Sequence, residues 1–447
     1  MKVDSSTSKV LLPVAGHPYP MAVRGEGVWV EDIDGQRYLD AMSGGSMAAT
    51  IGYGRHEVVE VGKAQALAVA HVHNERLTNL AQERLADRLV QVAGEDFTRV
   101  RFVTGGAEAN EMALQIARTY HVERGEPDRW RVISPAQAYH GPTFGTLALT
   151  GRPGLHGPFS PYVAAHPHIP PSTWRFDPTG EAALAAIDAS IEEHGAGSIS
   201  AFFCEPVSAA ALPGYSPPSS FWRGLDERRA RHGFLVCFDE VVTGMGRTGT
   251  WFAFQDLPIV PDIVMTAKGL GAGYAAVGAV LCRDAVYQAV ASGSRRFTLG
   301  HSWDGSPFSC AVGGAVMDVL EREELIGRVA TRGPKLRAQL AEALGGIDMV
   351  RDVRGKGYLL GIEYVNPADG ESFLPPELGV AGQVDAAALE RGLVLYSTQP
   401  TRDGFAGDQS LFAPAFSATD DELELMVERL TAAVASVADR LPVLKAG

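Results

Sequence analysis

Apolar positions along this 447-residue chain recur in two rhythms. From about Glu57 to Val92, Val, Ala and Leu fall at helical spacing with charged residues between them. Downstream, short runs rich in β-branched and aromatic residues alternate with helical stretches: TRVRFVT before EANEMALQIARTYHVERG, WRVISPA before a loop, SISAFFCEPV before FWRGLDERRARHG, then GFLVCFDEVV, DIVMTAKGL and VGAVLCR. Strands that alternate with helices predict parallel crossovers and an α/β sheet covered on both faces. Such a sheet takes its ligands at the carboxyl ends of its strands. Before this region, VWVEDIDGQRYLDAM alternates and turns at Asp34-Gly35, the pattern of a hairpin. After it, Cys310 to Gly345 is helical, VRGKGYLLGIEYV and VLYST are strand-like, and ATDDELELMVERLTAAVASVADRL is a last helix. The tail is expected to pack with the N-terminal hairpin as a smaller unit, since a chain of this length exceeds one core. The stretch from Gly151 to Gly180, rich in Pro and His, is long for a loop in a compact domain, a length associated with function.

Composition narrows the class. The chain is 46% hydrophobic and 21% charged, as globular proteins are, and no apolar run approaches the roughly 20 residues that span a bilayer. A formal charge of −14 argues against nucleic acid as a partner, because phosphates would be repelled. Four cysteines lie far apart with no CxxC pair or Cys/His cluster, so neither a disulfide framework nor a metal site is expected. Small metabolites and a cytoplasmic location are the resulting expectations. One residue stands out: the chain has 7 lysines against 32 arginines, and Lys268 is the only lysine between Lys63 and Lys335. Arginine keeps its proton, whereas a desolvated lysine can lose it and attack an aldehyde. A lysine whose stem merely lies on apolar surface would look the same locally.

Four constellations bear on this choice. TRVRFVT-GGAEANEMALQIAR ends a strand in glycines and opens a helix, so the free N–H groups around Gly105, Gly106 and Ala107 form a candidate phosphate site. An ordinary strand-to-helix turn reads the same way. LVCFDEVVTG ends a buried strand on Asp239-Glu240, and a carboxylate there needs a partner, such as a protonated pyridine nitrogen or the N–H groups of a following turn. AYHGPTFGTLALTG places Tyr139 and His140 at a strand-to-loop junction, where an aromatic ring can stack on a flat cofactor. TGMGRTG contains GxGxxG but leads into TWFAFQDLP rather than a helix, so it predicts a tight turn tied by Arg247, not a nicotinamide site.

Taken in order and spacing, the phosphate turn, the aromatic, Glu205 in FFCEPV, Asp239 and then Lys268 some 29 residues later resemble the class III aminotransferases, the ω-type group of fold-type-I pyridoxal-phosphate enzymes. The resemblance runs from about Val23 to Leu430, through YLDAMSGGSMAATIGYG, FVTGGAEANEMALQIAR, AYHGPTFGTLAL, EPV, FDEVVTGMGRTG, PDIVMTAKGLGAGY, GHSWDGSP and VRGKGYLLGIE. It implies a large domain over residues 56–315 with a mostly parallel seven-stranded sheet, and a small α+β domain from residues 1–55 and 316–447. It implies that Lys268 holds pyridoxal 5'-phosphate as a Schiff base and shuttles the proton, through a pyridoxamine phosphate intermediate. Asp239 would pair with the pyridinium nitrogen. Val241 and Tyr139 would cover the two ring faces, with His140 and Glu205 beside the cofactor. Gly106 and Ala107 would hold the phosphate, although the family's serine is alanine here. Ser302 would reach the phosphate of a neighbouring subunit, which makes a homodimer with shared active sites the expected assembly. The implied reaction moves an amino group from an amine or ω-amino donor to a keto acid or aldehyde acceptor. An aminomutase, decarboxylase or lyase would use the same lysine and aspartate.

Departures from the family bear on substrate. Members that use 2-oxoglutarate carry arginine where this chain has Pro142, and many amine:pyruvate enzymes carry a mobile arginine where it has Gly404; Arg402 lies near but does not match. Met47 replaces a tryptophan, leaving a roomier pocket. The substrate-side candidates are therefore Met47, Tyr139 and Arg402. The expectation is a donor whose amine is remote from any carboxylate, and an acceptor other than 2-oxoglutarate.

Overall fold

The computed structural model describes residues 2–398 and 404–441. Its centre is a seven-stranded sheet: β1 (Phe97–Val103), β2 (Arg131–Pro135), β3 (His168–Ile169), β4 (Ile199–Cys204), β5 (Leu235–Asp239), β6 (Ile263–Thr266) and β7 (Gly278–Arg283), in the spatial order β1-β7-β6-β5-β4-β2-β3. The pairs β6–β5, β5–β4, β4–β2 and β2–β3 are parallel. Only β7 runs against its neighbours, antiparallel to both β6 and β1. Every residue of β4, β5 and β6 is buried, which explains why these strands read as unbroken apolar runs instead of alternating ones. Helix α1 (Gly106–Glu123) follows β1 directly and buries Ala109, Met112, Ala113, Ile116 and Ala117 against the sheet.

Two four-stranded sheets flank this centre. The hairpin strands Trp29–Asp32 and Arg37–Asp40 pair antiparallel, and Ala22–Glu26 extends them on one side. On the other side Leu393–Val394 adds in parallel, with Leu393 opposite Leu39, so the C-terminal tail completes the N-terminal sheet. Tyr396–Thr398, only one residue further on, belongs to the other sheet with Gln409–Phe412, Leu359–Tyr364 and Val350–Lys356. The last helix, Asp420–Ala438, opens on a reciprocal cap between Thr419 and Glu422.

Three sequence expectations change. The helical stretch from Glu57 to Val92 is two helices, His56–Ala68 and Leu80–Ala93. The chain leaves the first through an extended Val69, and Asn79 caps the second by accepting from the Gln82 N–H. The helical stretch after Cys310 likewise breaks at Glu324, whose φ is 51°, between Pro307–Arg322 and Leu325–Leu344. The segment from Gly151 to Gly180 is not a structureless loop, because it carries a short helix, a 3₁₀ turn and the edge strand β3.

Candidate active site

Asp239 closes β5, Glu205 follows β4, Gly105 and Gly106 follow β1, and Lys268 lies just beyond β6, so four strand ends deliver the chemistry-bearing residues to one place. They line a cavity of about 810 Å³ together with Ala107, Asn110, Tyr139, His140 and Val241. The Asp239 carboxylate is only 5% exposed and is the hub of this wall. Its Oδ2 accepts from His140 Nδ1 at 2.8 Å and from Asn110 Nδ2 at 2.7 Å, while Oδ1 accepts from the Val241 N–H at 3.0 Å. Asn110 also donates to the His140 carbonyl at 2.7 Å, which locks the strand-to-loop junction onto α1. Glu240, fully buried, accepts from Thr243 Oγ1 and from the N–H groups of Ala253 and Phe254, and burial pushes it up to about 7.

Close packing requires glycine at Gly106, the first residue of α1, and at Gly141 opposite it. A Cβ on Gly106 would stand 2.7 Å from a Val241 methyl, and one on Gly141 would stand 2.7 Å from the Ala107 Cβ. Gly141 also has φ +125°, a conformation that favours glycine. No side chain caps α1, so its first N–H groups remain for a ligand.

Electrostatics set Lys268 and Glu205 against their ordinary states. Burial drives the Lys268 ammonium down from the usual lysine value, Asp239 and Glu205 pull it back up, and Arg247 opposes them. Lys268 is held at φ +32°, an unfavourable backbone conformation for a side-chain-bearing residue, and its Nζ donates no hydrogen bond to a described residue. Glu205 is raised to about 7, chiefly by burial and further by Asp239, with His140 opposing. Its oxygens accept from the N–H groups of Tyr139 at 3.3 Å and Ala209 at 3.1 Å, so this carboxyl fixes the turn that presents the Tyr139 ring. Arg247 holds the glycine turn as the sequence predicts: fully buried, it donates to the carbonyls of Tyr358 and Pro414 and to Ser43 Oγ.

The remaining walls come from elsewhere. Met47, at φ +65° and 4% exposed, enters from the Ser43–Met47 kink. Arg152, Leu155 and Phe159 enter from the segment after Gly151, and Tyr396 from the C-terminal tail. Among the candidates, Lys268, Asp239, Gly106, Ala107, Tyr139, His140, Glu205, Val241 and Met47 all line the cavity. Ser302 does not; it is exposed on the stretch before the helix Pro307–Arg322, next to an exposed Trp303. Arg402 lies outside the described residues, and Gly404 has φ +78°. Sequence reasoning missed Asn110, although it sits one helical turn after Gly106 and so shares its face. It also missed Arg152 and Tyr396, which no local pattern marks.

A sheet with one antiparallel strand, a glycine turn at the head of α1 and a lysine–aspartate pair at neighbouring strand ends define an enzyme of the fold-type-I class. The model of the family described as aminotransferase class-III matches residues 13–434, and the chain belongs to that family, whose members depend on pyridoxal phosphate. A probable aminotransferase of Mycobacterium tuberculosis, Rv3329, is 38% identical over 388 residues, covering 85% of this chain and 83% of that protein. The crystal structure of a thermostable (S)-enantioselective omega-transaminase from Thermomicrobium roseum superposes with a TM-score of 0.88 at 34% identity, covering 94% of this chain and 93% of the other. An amine transaminase from an uncultivated Pseudomonas species, solved in its PLP-bound form, superposes with a TM-score of 0.89 at 31% identity, covering 96% and 99%.

Proposed function

We propose that this enzyme transfers an amino group from an amine or ω-amino compound to a keto acid or aldehyde acceptor, with Lys268 as anchor and proton carrier for pyridoxal phosphate. The observation that carries the reading is the Asp239 hub. Its three hydrogen bonds leave room for another donor, because a carboxylate has about four acceptor sites. A protonated ring nitrogen would supply that donor. Gly105, Gly106 and Ala107 offer N–H groups to a phosphate, with the hydroxyl of the family's serine replaced by a methyl. Tyr139 and Val241 supply the two ring faces. When bound, the cofactor supplies an aldehyde that takes up amino nitrogen and a ring that accepts the electron pair left as a carbon loses its proton. Lys268 Nζ, with its pKa lowered by burial, takes that proton and returns it at the other carbon. Asp239 holds the positive charge that makes the ring electron-accepting, and His140 and Asn110 fix Asp239 in register.

We further propose a cytoplasmic homodimer in which Ser302 serves the partner's site. Leu155 and Phe159 line the cavity yet are 41% and 46% exposed, and Leu299 and Trp303 flank Ser302 at 54% and 58% exposed, apolar surface that a second copy would cover. No described helix is long and apolar enough to cross a membrane. The small domain is proposed to comprise residues 1–55 and 316–447 around a cofactor domain of 56–315, in keeping with the strand that Leu393–Val394 adds to the hairpin sheet. With Pro142 and Gly404 in place of the family's arginines, we propose a donor whose amine is remote from any carboxylate and an acceptor other than 2-oxoglutarate. The test is to record the cofactor's absorbance while amines and then keto acids are added. A change with an amine that reverses only with a separate acceptor supports transfer. Turnover without an acceptor would assign a mutase, decarboxylase or lyase instead.

A further inference from the structure

Arg152 is a cation set into the cavity wall without a described partner. It lines the cavity with Leu147, Leu155, Phe159 and Val207, and it makes no hydrogen bond or ion pair with its side chain among the described residues. Arg152 is half-buried, and a guanidinium whose donors meet a largely apolar wall offers them to an anion entering the cavity. Its place is fixed. Gly151 pairs with Ala136 as an isolated bridge and accepts from the Gln137 N–H at 2.8 Å. A Cβ on Gly151 would stand 2.5 Å from the Pro135 carbonyl oxygen, so the backbone is pressed against the end of β2 and Arg152 is the first side chain beyond that contact. The guanidinium lies near enough to Tyr139 to favour the ionised form of its hydroxyl, against the dominant effect of burial. Both residues line the same cavity.

We infer that Arg152 receives the carboxylate of a monocarboxylic 2-keto acid, and so selects the acceptor. This rests on the proposed aminotransfer and supplies the charge that Pro142 and Gly404 remove. One free guanidinium satisfies one carboxylate, through two parallel N–H···O bonds. The second carboxylate of 2-oxoglutarate would meet apolar wall, where an unpaired charge is expensive.

The test compares the cofactor-loaded enzyme with Arg152→Gln and Arg152→Lys. Acceptor kinetics are measured with pyruvate and with neutral butanal. Calorimetry measures binding of butyrate, a carboxylate that cannot react, and a spectrophotometric titration measures cofactor affinity. In Arg152→Gln the KM for pyruvate should rise about 10- to 100-fold, and butyrate binding should weaken by a similar factor. The KM for butanal and the cofactor affinity should stay within about 2-fold, and lysine should restore part of the loss. Equal losses for pyruvate and butanal, an unchanged pyruvate KM, or weakened cofactor binding would each overturn the assignment. If the wild-type enzyme passes nitrogen to neither acceptor, the reading of the reaction fails, and the butyrate arm still decides Arg152.

Discussion

Along the sheet side of the cavity, Asp239, His140 and Asn110 hold one another through hydrogen bonds of 2.7 and 2.8 Å, all three almost fully buried. Along the wall formed after Gly151, Arg152 has no described partner, and Leu155 and Phe159 stand partly in the open. The difference follows from where each wall comes from. Strand ends in a parallel sheet are fixed by ladders on both sides, so groups placed there hold their geometry within narrow limits. The other wall hangs on a short helix and a 3₁₀ turn, whose rings Phe159 and Tyr162 pack on the exposed Phe144, Tyr162 stacked on it with centroids 5.2 Å apart. On the proposed reading, chemistry is placed in the rigid wall and substrate choice in the looser one.

The comparison predicts that substitutions on the rigid wall stop the reaction for every substrate. Lys268→Ala removes the proposed proton carrier and should lower kcat by more than about 10³-fold with any donor. Stopped-flow turnover and the cofactor's absorbance both read this, and retention of the wild-type spectrum would refute the anchor role. Asp239→Asn should cost on the order of 10²- to 10³-fold in kcat. The amide must turn its NH₂ either toward the donors His140 and Asn110 or toward the Val241 N–H, so one donor faces another, a loss of about 1–3 kcal/mol in stability. Thermal melts alongside the kinetics separate the two effects. Melting unchanged with kcat reduced would mean that the charge, and not the network, is what matters.

Much of the rigid wall was legible in the sequence because burial and periodicity write it there. Buried strands give apolar runs, strand ends give the abrupt polar residues Asp239 and Glu205, and a lysine among arginines stands out at 268. The antiparallel β7 was not legible, since VGAVLCR reads alike in either direction. Nor was the division of VLYST between two sheets, which depends on a break at Leu395 and on partners far away in sequence. The variable wall was the least readable. Arg152, in a run of Gly, Pro and His, becomes meaningful only when folding sets it in the cavity wall without a partner among the described residues. The break after Ala68 was hidden because Ala and Val continue the helical spacing past the true end of the helix.

Smaller effects should fall on the variable wall and should discriminate between substrates. Met47→Trp would fill space at a position already held at φ +65°, and it should lower kcat/KM for bulky amines about 10-fold while sparing small ones. A uniform loss across amine sizes would place Met47 in backbone support rather than in the pocket.

The smallest effect concerns Glu205, a cavity-lining carboxyl whose titration falls near neutrality. Glu205 is raised from 4.5 to about 7, first by burial. A carboxyl whose folded value is raised binds a proton more tightly when folded, so its contribution to stability is complete below about 4.5 and is lost as the pH climbs through about 7. Glu240 has the same window, so removing Glu205 should only flatten the slope and not abolish it. Melting temperatures of the cofactor-free protein should therefore fall less steeply between these pH values in Glu205→Gln than in the wild type. Because the glutamine keeps an oxygen for the Tyr139 or Ala209 N–H but not for both, the variant should start from a lower melting temperature at acid pH, where the protonated wild-type carboxyl is at its best. Parallel curves for the two proteins would show that Glu205 is charged throughout, held by those two N–H groups against its burial.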